Sequence, residues 1–255
     1  MAKPGSSYFA DVDSLLRPAE SQPAIDLKRL VVLAVALGAA YGFFMGWFAV
    51  ALHWGTGQLA GYLQLISGTI KLPALFLGTL LVTFPSLYVF SALAGVNLDL
   101  LATLRLLVSA IVVNLAVAAS LGTILAFFTL STTSYPFIVV LNVVLLSVAG
   151  VMGLGYLRRT LVQVVQLPVA PAPTLPVVAS EGEAPPVAPP PAASEPSAVP
   201  IFRVWTIIYA LVGMQMGWLL RPFIGHPDAG FELFRARTGN FFLGLLDNLR
   251  QMFGS

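Results

Sequence analysis

The sequence predicts an all-α fold, an integral membrane helical bundle of about five transmembrane helices with a C-terminal amphipathic helix in the interface. Three observations carry this. From Leu72 to Leu157 only Asp99 and Arg105 bear a formal charge. Leu30–Leu52 is uncharged from end to end and long enough to cross a hydrocarbon core of about 30 Å. Hydrophobic residues make up 58% of the 255 and charged residues 9%, against roughly 25% charged in a soluble domain.

Residues 1–28 form a polar N-terminal arm with a short apolar patch at Leu15–Leu16, expected to hold one or two helical turns at most. The first apolar run follows Asp11, Asp13, Glu20 and Asp26, so it reads as a retained span and not as a cleaved signal. Residues 29–157 are the membrane domain, with spans one to four. In span one, Leu30–Leu52, Gly38, Gly42 and Gly46 recur every four residues and bare the backbone along one face. That face suits a helix of the same chain or a second copy. Residues 53–71 are interrupted by Gly55, Gly57, Gly61 and Gly68 and read as an interfacial or re-entrant helix.

Span two is Leu72–Val96. Pro73 fits its first turn, and Pro85 predicts a kink, with Thr83, Ser86 and Tyr88 offering hydroxyls. Asn97–Arg105 is a polar connection. Span three, Leu106–Leu130, carries Ala110, Asn114, Ala118, Gly122 and Ala126 at four-residue steps, a stripe of small residues that points at protein. The hydroxyl-rich turn Ser131–Pro136 leads to span four, Phe137–Leu157, with Asn142. Asn114 and Asn142 are expected to face one helix interface, with Gln215 as a third amide. Residues 158–200 form a Pro/Ala-rich tether; positions 168–200 hold 11 of the 19 prolines. Span five lies in 201–222, between Arg203 and Arg221, with Gly213 and Gly217 on one face and Trp205, Tyr209 and Trp218 marking its ends. Residues 223–255 are a tail whose Asn240–Phe253 stretch puts Phe242, Leu245, Leu246, Leu249 and Phe253 on one face.

A cytoplasmic N-terminus places Lys3, Arg17, Lys28, Arg29, Arg105, Arg158, Arg159 and Arg203 inside, and Lys71, Arg221, Arg235, Arg237 and Arg250 outside. The positive-inside rule favours that orientation, in a bacterial inner membrane.

The chemistry is sparse. With no cysteine there is no disulfide, thiolate nucleophile, zinc–thiolate site or iron–sulfur cluster. The 13 Lys and Arg are too scattered for a nucleic-acid groove. The spans as drawn hold no ionisable group at depth, which lowers ion-coupled transport. No His-Glu-x-x-His, Gly-x-Ser-x-Gly or Walker lysine motif occurs. His53 and His226 fall at span ends without a third ligand, and no metal or cofactor is expected. The reading is a non-enzymatic membrane scaffold or partner-binding subunit. Its partners are the lipid bilayer and either a second copy or another membrane protein. The alternative is a channel or passive transporter lined by Pro85, Asn114, Asn142 and Gln215.

Thr83–Tyr88, Ser134–Phe137, Leu220–Gly225 and Phe231–Arg235 resemble a group of uncharacterised bacterial polytopic membrane proteins. The resemblance covers the spans and tail and implies a multi-span membrane protein; the group has no assigned activity to carry over. The five-span layout with a cytoplasmic N-terminal arm is also similar to that of Yip-type membrane proteins, in layout alone.

Overall fold

A computed structural model describes residues 7–17, 25–52, 59–93, 99–166, 198–225, 231–234, 239–254 of the chain. The fold is all-helical. Among the described residues there are seven helices: α1 (Tyr8–Leu16), α2 (Leu27–Leu52), α3 (Leu59–Leu93), α4 (Leu100–Ser131), α5 (Tyr135–Gln166), α6 (Ala198–Leu220) and α7 (Phe241–Phe253). Five of them, α2 to α6, are long and apolar enough to cross a membrane. This is the architecture of a polytopic membrane protein.

The expected glycine face of span one meets its own chain. A Cβ on Gly38 would lie 3.1 Å from Pro73 Cα, one on Gly46 2.5 Å from Leu65 Cα, and one on Gly61 3.0 Å from the Ala49 carbonyl oxygen. At Gly42 an added Cβ would fall 2.9 Å from both the Gly68 carbonyl carbon and Thr69 Cα. The partners descend on α3 as they climb on α2, so the two helices run antiparallel with their backbones in contact. Van der Waals packing of bare backbone is what associates helices where lipid removes the hydrophobic drive.

This contact explains a departure from the expected boundaries. Residues 59–71 are not a separate segment; they are the first turns of α3, a single helix that carries Pro73 in its interior. Gly61 and Gly68, which look like interruptions in the sequence, are where α2 comes close. Pro73 itself packs on Gly38, and a neighbour of this kind holds a proline-containing helix together. The expected break at Asn97–Arg105 also shortens: Asp99 Oδ2 accepts from Ala102 N at 3.0 Å and caps α4, so Arg105 is helical. α5 runs past Leu157 to Gln166. The prolines of 168–197 and the two histidines lie outside the described residues.

Around the α2–α3 pair the helices form a crescent. α4 lies on the other side of α2, where a Cβ on Gly122 would strike the Phe44 ring. α5 returns antiparallel along α4, with Gly153 against Asn114 and Ala110. α6 packs antiparallel on the outer side of α3: Trp205 Nε1 donates to the Thr83 carbonyl (3.0 Å) and Tyr209 Oη to the Phe76 carbonyl (3.2 Å). The order in space is therefore α5–α4–α2–α3–α6. Helices α5 and α6 share few contacts, and α7 packs against both.

The N-terminal arm is more than a tail. Ser7 caps α1, Asp11 pairs with Arg29 at 3.5 Å, and the Arg29 guanidinium lies 5.2 Å from the centre of the Tyr8 ring. Leu15 and Ile25 are buried beside Leu30 in the core, and α1 rests on α4.

Gly42→Ala is expected to destabilise the protein by about 1–3 kcal/mol, as overpacking against unyielding backbone does. Gly78→Ala, where an added Cβ meets nothing within 4 Å, should be neutral or gain up to about 1 kcal/mol from helix propensity. Thermal denaturation of both variants in detergent measures the difference.

Candidate functional site

The concave side of the crescent is a cleft of about 1190 Å³. All five long helices contribute to it, α2 through Met45 alone. Its floor is α3 and α4, represented by Leu75, Phe76, Leu107 and Ile111; its walls are α5 and α6, with Leu146 and Leu154 facing Tyr209 and Met214. On α5 the lining runs from Tyr135 to Leu157, about 33 Å of helix at 1.5 Å per residue, close to the thickness of a hydrocarbon core. The lining is predominantly apolar. At one end it turns polar, with Arg221 from the segment after α6 and Asp247, Asn248 and Gln251 from α7.

The end of α6 explains how that polar end is built. α6 stops at Leu220 beside α3, where Gly217 meets Leu75. The chain then continues in irregular form alongside the lower half of the α2–α3 pair: a Cβ on Gly225 would lie 2.7 Å from Ala49 Cβ, and one on Gly68 3.3 Å from the Phe223 carbonyl. Irregular backbone at this depth needs donors from protein. Gln64 Nε2 donates to the carbonyls of Pro222 (2.9 Å) and Phe223 (3.0 Å). Lys71 Nζ donates to Pro222 at 3.2 Å and to Leu233, and sits 5.0 Å from the centre of the Phe234 ring. Lys71 is only 6% exposed. It is not the flanking charge outside span two that its sequence position suggests. It is an ionisable group inside a long apolar helix, held there by carbonyl oxygens.

α7 is fixed at the mouth of the cleft by Trp218. The indole Nε1 donates to the Gly239 carbonyl at 3.1 Å, and Gly244 lies so close to the ring that any Cβ would collide with it. Asn240 Oδ1 caps the helix by accepting from Leu243 N at 3.0 Å. Gly239 has φ +78° and so suits the turn into α7. The Arg221 guanidinium stacks 3.6 Å from the centre of the same Trp218 ring.

The residues singled out in the sequence divide between packing and the cleft. Gly38, Gly42 and Gly46 face α3, Gly122 faces Phe44, and Ala118 is fully buried. Gly213 and Gly217 lie against Thr79 and Leu75, and both, with Ala110, line the cleft. Asn114 and Asn142 also line it but do not pair. The α4–α5 register sets Asn114 opposite Gly153, three helical turns or about 16 Å along α5 from Asn142. Asn142 instead accepts a 2.9 Å hydrogen bond from Tyr41 Oη of α2. The Asn114 side-chain oxygen is buried and has no hydrogen-bond partner among the described residues. Gln215 is exposed on α6 and lies outside the cleft, as does Pro85. Near Pro85 the hydroxyls bond along α3, Thr83 to the Thr79 carbonyl and Ser86 to the Thr83 carbonyl; Tyr88 is exposed.

Sequence reading missed Gln64, Lys71, Trp205 and Tyr209. Trp205, expected to mark an end of span five, is buried against α3. A lone lysine and a lone glutamine seven residues apart in an apolar stretch were the available signal, since a charge retained inside a long span marks a place where the protein supplies a partner. The chain matches no protein-family model, no curated protein and no solved structure. The fold and the cleft therefore define its class: an all-helical, polytopic membrane protein.

Lys71→Met removes the donor to the Leu233 carbonyl and should cost about 1–3 kcal/mol. Limited proteolysis should then cut within 221–234 sooner than in the parent chain. Tyr41→Phe should cost about 1 kcal/mol through Asn142, whereas Asn114→Leu should leave the detergent-solubilised protein as stable as the parent. Melting curves of the three variants provide the comparison.

Proposed function

We propose that this chain is a non-enzymatic membrane subunit that works by binding, and that its binding site is the cleft between α5 and α6. One observation carries the reading: two apolar spans, α5 and α6, share few contacts and stand over a continuous apolar floor. A bundle serving only its own stability would close α5 onto α6. The first turn of α2, Arg158 and Arg159 of α5 and Arg203 of α6 all fall on the face of the N-terminal arm. Their charge supports a cytoplasmic arm in a bacterial inner membrane.

A conducting pathway is the second reading. Thr79, Asn114 and Asn142 reach one cleft from three different spans, which favours it. The exposed position of Gln215 and the placement of Pro85 outside the cleft weigh against the lining first expected.

The absence of cysteine makes single-site labelling clean. A photoreactive group placed at Leu154, on the cleft wall, should capture discrete adducts in native membranes. The same group at Val148, on the outer side of α5, should capture few. Equal capture at both positions overturns the proposal, and the mass of the adduct tells a protein partner from a small molecule.

A further inference from the structure

We infer that the occupant of the cleft is an uncharged molecule with a flat carbonyl-bearing ring on a long apolar tail, the chemistry of a membrane quinone, and that its carbonyl accepts from the side-chain amide of Asn142; this rests on the binding reading above. Asn142 is only 7% exposed, and it lines the cleft. Its Oδ1 is taken by Tyr41 Oη at 2.9 Å, which fixes the amide and leaves the nitrogen to point elsewhere. Nδ2 has no acceptor among the described residues, and it is not sealed in the core. An amide nitrogen so deep in protein is costly to leave unbonded. Here it opens on the cleft, so the group it calls for is the acceptor oxygen of a ligand.

That oxygen is uncharged. The charged residues that line the cleft are one of each sign, and both are engaged: Arg221 stacks on Trp218, and Asp247 pairs with Arg250. A carboxylate or phosphate would enter this apolar space with no cation to spare for it. The opposite wall makes room for a flat head. Tyr41 lies between Gly38 and Gly42, whose neighbours on α3 are Pro73 and Thr69, and Gly217 of α6 meets Leu75. The donor and the glycine therefore share a level to within about one helical turn. A Cβ on Gly217 would meet nothing closer than Leu75 Cδ2 at 4.0 Å, so α6 offers bare backbone and open space across from α5. Beyond this slot Leu107, Ile111 and Leu154 give the tail its groove. α7 packs against both walls and lines the cleft, which excludes a straight helix of 10–12 Å diameter and admits a ring on a flexible chain.

The test is native mass spectrometry of the purified full chain in detergent, titrated with decylbenzoquinone, with decylbenzene and with a diacylglycerol. The parent should hold the quinone about fivefold more tightly than decylbenzene, the worth of one net hydrogen bond. Asn142→Leu should bring that ratio to about one. Gly217→Leu fills the slot from the other wall, leaves the Tyr41 bond alone and should weaken the quinone about tenfold. Leu154→Trp should fill the tail groove and weaken quinone and decylbenzene alike, with Val148→Trp as the control that weakens neither. Melting curves in the same detergent identify any variant that has merely unfolded, and Gly217→Leu, built into open space, keeps the slot testable if Asn142→Leu does not fold. A parent ratio of one, a ratio that survives Asn142→Leu, or quinone binding undiminished by Gly217→Leu overturns the carbonyl at Asn142 and leaves the cleft as a binding site. A diacylglycerol held as tightly as the quinone overturns the ring. Binding unchanged by Leu154→Trp overturns the cleft as the site altogether.

Discussion

α2 and α3 touch backbone to backbone at Gly42 and Gly68, and the other long helices take their places from that contact. With side chains absent along the seam, neither helix can slide or rotate without a carbonyl meeting a Cα. The seam spends one face of each helix. What remains is two flanks, one for α4 on α2 and one for α6 on α3. Helices added on opposite flanks of a tight pair cannot both turn inward to meet, and the concave cleft is the result. The same small-residue logic repeats where α5 meets α4 at Gly153 and where α7 meets Trp218 at Gly244.

A second constraint acts where the helical pattern stops. Inside a bilayer an unpaired carbonyl costs several kcal/mol, so irregular backbone survives only beside donors. The segment after α6 meets this with Gln64 and Lys71, both projecting from the half of α3 that also carries the glycine seam. One stretch of α3 thus does two things: its bare face fixes α2, and its polar side chains let the chain after α6 leave helical geometry at depth. That departure positions Arg221, and through Trp218 it positions α7.

Much of this was legible in the sequence, for physical reasons that also mark the limits. Charge-free runs report spans because charge is costly in hydrocarbon, and four-residue glycine spacing reports a packing face because 3.6 residues make a turn. The same rules mislead at Lys71. In one dimension a lysine beside an apolar run looks like the edge of the membrane, and only the fold reveals the carbonyls of Pro222 and Leu233 around it. Pro73 misleads in the same way, because the Gly38 contact that steadies it lies on another helix. Trp205 and Tyr209 have the composition of an interfacial belt, yet their N–H and O–H groups reach α3 carbonyls. The Asn114–Asn142 pairing fails on register, which depends on which residues meet across α4 and α5 and not on distance from the turn between them. The cleft itself was not legible, because helix adjacency is not a property of any one helix.

Adjacency in this fold follows from chain length between elements. Helices α2 to α5 are joined by short connections, and consecutive helices so joined pack side by side or one helix away. α5 and α6 are also consecutive, yet they stand at opposite ends of the crescent. The residues between them, 167–197, are numerous enough to reach about 100 Å when extended, far more than the width of five helices. A short turn after α5 would have forced α6 down beside it and filled the concave face. The proline-rich stretch removes that obligation, because loop closure costs little more as a loop lengthens, and so α6 is free to choose its partner by chemistry. It chooses α3, where Trp205 and Tyr209 find carbonyls. The length of this connection thus permits the cleft to stay open.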